Sequence, residues 1–158
     1  MSLSPETAAE AAASFVATVA RTQGVTLDYS VESLAFVDRL LGQFHDGGDR
    51  AQAMPKTVAS ASCYLGEVIR RHAGGVWIRP EESDAPEVMR FPLMMRIGSA
   101  SIVPFFKVAK RIDNGPEDDL VFYYAVVTKT ASPAAQPPAP EPAQRRPGLF
   151  ARLFGRRG

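Results

Sequence analysis

Residues 55–80 constrain the fold most, because a helix pattern, a helix stop and a strand pattern follow one another there. Pro55 suits a first helical position, and Gly74-Gly75 follows the last residue with helical periodicity. At about 100° per residue, one face carries Val58, Ala61, Leu65, Val68, Ile69 and His72. The opposite face carries Lys56, Cys63, Glu67, Arg70 and Arg71. This pattern predicts an amphipathic helix over 55–73 with one buried stripe, followed by a strand over Val76–Ile78.

Two residues in this stretch indicate how the helix packs. Gly66 inside a helix costs about 1 kcal/mol relative to alanine, and such a glycine often marks close packing against another element. Trp77, in the strand after the two glycines, is expected to be buried in the core, with a ligand-stacking role as the alternative.

The remaining elements indicate an α+β fold. Helical periodicity is present in residues 5–22, in residues 31–45 and after Pro104. Strand formers occur in Val88–Phe91, Leu93–Ile97 and Ala100–Val103. Because no helices alternate with these strands, we expect N-terminal helices packed on a small antiparallel sheet, with further helices after it.

Residues 120–128 carry conflicting signals. The acidic residues 117–119 resemble the first turn of a helix, whereas the sequence LVFYYAVVT is rich in strand formers. We favour a helix here, with a strand as the alternative.

The C-terminal part of the chain differs from the rest in composition. Residues 131–147 hold six of the thirteen prolines, and such a segment is unable to bury a core. We therefore predict one α+β domain over 1–130, a disordered Pro/Ala-rich linker over 131–147 and a basic amphipathic tail over 148–158.

The tail is the segment with the clearest binding pattern. Its apolar residues Leu149, Phe150, Leu153 and Phe154 share one helical face. The surrounding basic residues are Arg145, Arg146, Arg152, Arg156 and Arg157. A basic amphipathic helix is typical of segments that dock on a protein or lie on an anionic membrane surface. Residues 1–130 carry a net charge of −3, which makes extended nucleic-acid binding the less favoured hypothesis.

Catalytic signatures are absent from the sequence. It contains no P-loop, GxGxxG, GxSxG or HExxH motif. The acids Asp38 and Glu67, together with His45, are the candidates for an enzyme, although nothing in the sequence places them together. Glu67 has arginines three and four residues later, which makes a surface ion pair the favoured interpretation.

The single cysteine excludes an intrachain disulfide. Cys63 and His72 lie on opposite sides of their helix, so they form no dyad within it, and we expect Cys63 to be a partly exposed, inert thiol. His72 is expected to bond a carbonyl at the helix end. His45, Asp46 and Asp49 have loose metal-ligand spacing, but this composition is also ordinary for a turn, and we predict neither a metal site nor a cofactor.

The sequence gives two signals about location. The N-terminus lacks the basic region of a secretory signal, and no apolar run approaches the roughly 18 residues of a membrane span. We therefore expect a cytoplasmic protein that is peripheral to a membrane if the tail binds one.

The segments SASCYLGEVIRRHAGGVWIRP and VPFFKVAKRIDNGPEDDL resemble a pattern seen in small bacterial domains of unknown function. The resemblance covers residues 27–127 and leaves out the first helix, the linker and the tail. It implies an α+β domain with no established activity, and it transfers no catalytic residue.

The leading functional hypothesis is a non-enzymatic module that binds an unidentified protein partner and carries a tethered basic-aromatic peptide. The alternatives are a peripheral membrane protein held by the tail, and an enzyme that uses Asp38, His45 and Glu67.

Overall fold

The computed structural model describes residues 2–82 and 92–131 of the chain, with side chains through residue 129. Its helices are α1 (Ala8–Gln23), α2 (Ser33–Asp46), α3 (Pro55–Ala73), α4 (Pro104–Asn114) and α5 (Leu120–Ala131). Its strands are β1 (Val76–Ile78), β2 (Met94–Ile97) and β3 (Ala100–Ile102). Within these residues, five helices and one small antiparallel sheet confirm the predicted α+β class. The predicted strand Val88–Phe91 lies outside the described residues.

Helix α3 lies at the centre of the helical packing. It contacts α1 on one side and α4 on another, while α2 packs against α4 and α5. The apolar face predicted for α1 is the face that is buried, through Ala8, Ala12, Phe15 and Val19. The small alanines among them allow the backbones of α1 and α3 to approach closely.

The sheet has the strand order β1-β2-β3, and both pairs of strands are antiparallel. Trp77 of β1 faces Met95 of β2 in this register. Gly98 and Ser99 form the turn that joins β2 to β3, and Gly98 adopts a φ of 62°. A glycine suits that position because its positive φ strains other residues.

Local signals explain where the helices begin and end. Helix α3 starts at Pro55 and ends before Gly74, which has a φ of 83°, as predicted. The Oγ of Ser30 accepts a hydrogen bond of 3.1 Å from the amide of Ser33, the first residue of α2, and so stabilises the turn that leads into this helix. The first helix starts at Ala8 rather than residue 5, because the amide of Thr7 bonds the carbonyl of Ser4 in a preceding turn.

Residues 120–131 form a helix, so the start signal prevailed over strand propensity. The Oδ1 atom of Asp119 accepts hydrogen bonds from the amides of Val121 and Phe122, at 2.6 Å and 3.1 Å. These bonds satisfy amides that have no partner within the first turn. The preference for a helix over a strand at this segment is therefore confirmed.

The predicted single buried stripe of α3 is wrong. Nine consecutive residues, Ala61–Ile69, are buried, so the middle of the helix is covered on every side. Cys63 is fully buried rather than partly exposed, and Glu67 lies inside rather than on the surface. The periodic pattern predicted one buried stripe because it only separates the polar face of a helix from the apolar face. It does not show that Trp77 of β1 packs on the polar face.

Candidate functional site

A buried carboxylate lies at the contact between α3 and β1. The side chain of Glu67 is only 1% exposed. Arg70 donates from Nε to Oε2 at 2.8 Å and from Nη2 to Oε1 at 2.9 Å. The indole Nε1 of Trp77 donates to Oε2 at 2.9 Å, and Nε of Arg71 donates to Oε1 at 3.3 Å. Both carboxylate oxygens are therefore satisfied, which a buried charge requires.

The electrostatics of this cluster favour the ionised carboxylate. Burial by itself raises the pKa of Glu67, but the hydrogen bonds from Arg70 and Trp77 outweigh it. The pKa of Glu67 therefore lies below its ordinary value of 4.5. The predicted pairing of Glu67 with its neighbouring arginines is present, although the pair is buried on the carboxylate side.

Gly66 allows the indole of Trp77 to reach Glu67. A Cβ at position 66 would lie 2.1 Å from Cη2 of the indole, which is far inside any normal contact. The ring of Trp77 therefore rests directly on the backbone of α3. Both predictions from the sequence, close packing at Gly66 and burial of Trp77, are confirmed.

A cleft opens beside this cluster, with a volume of about 440 Å³. Its lining comprises Pro5, Glu6, Ala9, Glu67, Arg70, Gly75, Val76 and Trp77. The segment that leads into α1 forms one wall, and β1 forms the other. Glu6 is held at the rim by Nη2 of Arg79, at 3.2 Å. We call this space the Trp77 cleft.

A second surface of interest lies on α5. The side of this helix that points away from the core carries Val121, Phe122, Ala125, Val126 and Lys129, all of them exposed. Val121, Phe122 and Val126 are 41%, 41% and 42% exposed. We call this set the α5 outer face. Apolar side chains also cover the inner side of the helix, where Leu120 is buried and Tyr123, Tyr124 and Val127 pack on the core.

The three residues of the enzyme hypothesis have separate partners. The carboxylate of Asp38 binds Arg111, with its Oδ1 2.8 Å from Nε, and accepts a bond of 2.9 Å from the amide of Leu120. Nδ1 of His45 donates to the carbonyl of Ile112 at 2.8 Å. Glu67 shares no hydrogen-bond partner with either residue. The bonds of Asp38 and His45 tie α2 to α4 and α5, which is a structural role.

Cys63 and His72 are also accounted for by local contacts. Burial, with a smaller effect from Glu67, raises the pKa of the Cys63 thiol to about 12, so the thiolate needed for nucleophilic chemistry is scarce at neutral pH. Nε2 of His72 donates to the carbonyl of Tyr29 at 2.8 Å, as expected for a histidine at a helix end.

Neither a metal cluster nor a membrane span is present in residues 2–82 and 92–131. No group of three or more His, Cys, Asp or Glu side chains in these ranges has an arrangement that would hold a metal ion. No helix in them has the length and apolar character to cross a bilayer. The tail residues Leu149, Phe150, Leu153 and Phe154, with the arginines around them, lie outside the described residues, and their role stays a prediction.

Two features of these sites were missed from the sequence. The Trp77 cleft depends on the approach of Pro5, Glu6 and Ala9, for which the sequence carries no signal. The other missed feature is a cluster in which Tyr64 bonds the hydroxyl of Ser33 at 2.6 Å. The sequence carries no signal for this contact, because Ser33 and Tyr64 are 31 positions apart.

Comparison with known proteins adds no relationship. No protein family, no curated protein and no solved structure matches this chain. The resemblance to small bacterial domains of unknown function therefore stays a prediction.

Proposed function

We propose that this chain is a non-enzymatic protein-binding module, and that the α5 outer face is its principal docking surface. The observation that carries this proposal is the exposure of Val121, Phe122 and Val126 on a helix whose other side is already packed against the core. Contiguous exposed apolar surface of this kind is typical of interaction sites. Covering it with a partner would favour association by roughly 25 cal/mol per Å² of apolar area.

The location of this face relative to the tail supports the same proposal. Helix α5 runs directly into the Pro-rich segment that precedes the basic-aromatic tail. A partner held by the outer face would therefore lie within reach of Leu149, Phe150, Leu153 and Phe154. Two linked contacts bind more tightly than either contact alone, because the second one forms at a high effective concentration.

Charge indicates what the partner should look like. Lys129 lies within the α5 outer face, and the arginines of the tail follow it along the chain. We therefore expect a protein with an apolar patch bordered by acidic side chains. The predicted cytoplasmic location belongs to this proposal, since a lone thiol is ordinary in a reducing compartment.

The side chains of the enzyme hypothesis support catalysis less well. Asp38 and Glu67 are held by arginines, His45 is bonded to a backbone carbonyl, and the three share no partner. A general acid or base has to reach a substrate proton, and these groups are already engaged in contacts that hold helices together.

The experiment is a site-directed photo-crosslink from the full chain. A photoreactive residue replaces the exposed Ala125, the crosslinked partner is identified, and the purified partner is titrated against variants. Val121→Glu is expected to weaken binding by at least about tenfold, because it places a charge in an apolar contact. Ala17→Glu, which places the same charge on an exposed residue of α1 outside both surfaces, is the control and should change the affinity by less than about twofold.

Two results would contradict the proposal. One is a purified partner that binds Val121→Glu as tightly as the original chain. The other is full-chain protein that sediments with anionic vesicles at low salt, equally well with and without Val121→Glu, while no protein crosslinks. The second result would favour the membrane hypothesis, in which the tail alone binds an anionic surface.

A further inference from the structure

We propose that the Trp77 cleft binds a small carboxylate with an apolar body, and that Arg70 is its anion-binding group. This site lies on α1, α3 and β1 and is independent of the α5 outer face. Its volume of about 440 Å³ falls within the range of small-molecule pockets, which is roughly 300–1,000 Å³.

Arg70 is held in a fixed orientation at the base of the cleft. Its Nε and Nη2 atoms each donate to Glu67, at 2.8 Å and 2.9 Å. A guanidinium carries five N–H donors, so the bonds to Glu67 leave three for another acceptor. The side chain is 43% exposed, which makes those donors accessible. A ligand would therefore meet an arginine whose conformational entropy has already been lost on folding.

The buried glutamate is best explained by this positioning. Burial of a carboxylate carries a desolvation cost that an apolar residue of similar volume would avoid. Glu67 nevertheless lies inside, where it fixes both Arg70 and the indole of Trp77 at the edge of the cleft. Its role in this site is to orient the residues that touch the ligand.

The local charge favours a single negative group. Glu67 is paired with Arg70 and Arg71, so the cluster has one excess positive charge. Glu6 at the rim is compensated by Arg79. Because Glu6 and Glu67 both border the cleft, a doubly charged phosphate would be repelled more than a carboxylate, which also matches a guanidinium edge in geometry.

The remaining walls define the other half of the ligand. Pro5, Ala9, Val76 and Trp77 present apolar surface on the two sides of the cleft. An aromatic or branched aliphatic body would fill this space while its carboxylate contacts Arg70. The ligand class is therefore an aryl or alkyl carboxylic acid.

Trp77 provides a direct readout, since it is the only tryptophan in the chain. The full-length protein is titrated with 3-phenylpropionate while the tryptophan emission is recorded. We expect a saturable change with a half-maximum in the millimolar range, as suits a ligand of this size. The uncharged 3-phenylpropionamide should bind at least about fivefold more weakly, because it lacks the charge that Arg70 recognises.

Two variants separate the site from a general effect on the fold. Arg70→Gln should abolish the carboxylate preference. Ala9→Leu narrows the cleft while Glu67, Arg70 and Trp77 keep their own side chains, and Ala17→Leu, at another exposed alanine of α1, is its matched control. We expect Ala9→Leu to weaken binding at least about fivefold and Ala17→Leu to leave it unchanged.

The proposal is overturned if the original chain gives no saturable change, or if the amide binds as tightly as the carboxylate. It also fails if Ala9→Leu binds like the original chain. Far-UV circular dichroism checks that each variant is folded. If Arg70→Gln unfolds, the amide comparison and Ala9→Leu decide the outcome by themselves.

Discussion

Helices α3 and α5 show that composition does not decide which helix is buried. Helix α3 includes Lys56, Glu67, Arg70 and Arg71, yet its nine residues Ala61–Ile69 are all buried. Helix α5 has the sequence LVFYYAVVTKTA, yet of its described side chains Leu120 alone is buried. What differs between the two helices is how much of their surface the other elements cover.

The packing of the two helices explains the contrast. Helix α3 lies among α1, α4 and β1, so even its polar face is covered, and Glu67 needs partners from its own helix and from Trp77. Helix α5 packs mainly on α2 and α4, and Val121, Phe122 and Val126 on its outer face are exposed. A helix with apolar residues on all sides usually lies in an interior, and this departure is the basis of the docking proposal.

The largest effect should come from truncation inside α3. Leu65→Ala is expected to lower the free energy of unfolding by about 2–5 kcal/mol, because Leu65 is fully buried. Val121→Ala on the α5 outer face should change it by less than about 0.5 kcal/mol. Urea denaturation of both variants measures the difference. Equal losses of unfolding free energy in the two variants would show that Leu65 and Val121 are buried to the same extent, and would contradict the difference between α3 and α5.

The buried ion pair should contribute next, in a pH-dependent manner. Glu67→Gln is expected to cost about 1.5–3 kcal/mol near neutral pH, because charged hydrogen bonds to Arg70 and Trp77 are lost. The folded pKa of Glu67 lies below 4.5, so its contribution is present above that pH and is lost as the pH falls through the folded pKa. Denaturation at several pH values should show that the difference in free energy of unfolding between the variant and the original chain becomes smaller in acid. A difference that does not change with pH would mean that it does not come from the ionised carboxylate.

Cys63→Ser should lower the free energy of unfolding by a smaller amount, about 1 kcal/mol. The position is fully buried, so a hydroxyl there is desolvated, although a helical serine can bond the carbonyl four residues earlier. A partly exposed thiol, as the sequence pattern predicted, would tolerate this substitution at little cost, but the thiol is fully buried. Cys63→Ala is the control without a polar group. A thiol reagent should react with the original protein only on unfolding, and rapid reaction of the folded chain would contradict the burial.

The smallest effect is expected from removing residues 132–158. Thermal unfolding of a chain that ends after residue 131 should lie within a few degrees of the full chain, since the Pro-rich segment is unable to bury a core. A chain that ends after residue 119 is the comparison, and it should be clearly less stable because the buried Leu120 is lost. If removing residues 132–158 alone lowered the unfolding temperature strongly, the predicted domain boundary at residue 130 would be wrong.

Much of the fold was predictable because its signals are local. Pro55 and Gly74 set the ends of α3, Asp119 caps α5, and Gly98 forms the β2–β3 turn. Each of these effects acts within three or four residues, so the sequence beside it contains everything that decides it. For this reason the α+β class, the approximate positions of α1–α4 and the strands β1–β3 followed from the sequence, whereas the signals at α5 conflicted.

The candidate site depended on contacts between distant residues. Asp38 and Arg111 are 73 positions apart, and Trp77 reaches Glu67 only because β1 folds back on α3 at Gly66. A periodic pattern assigns residues to the faces of one helix, but it does not contain the second element that covers a polar face. The burial of Cys63 and Glu67, the Trp77 cleft and the exposure of α5 were therefore decided by the tertiary structure, because desolvation depends on every neighbour in space and not on neighbours in sequence.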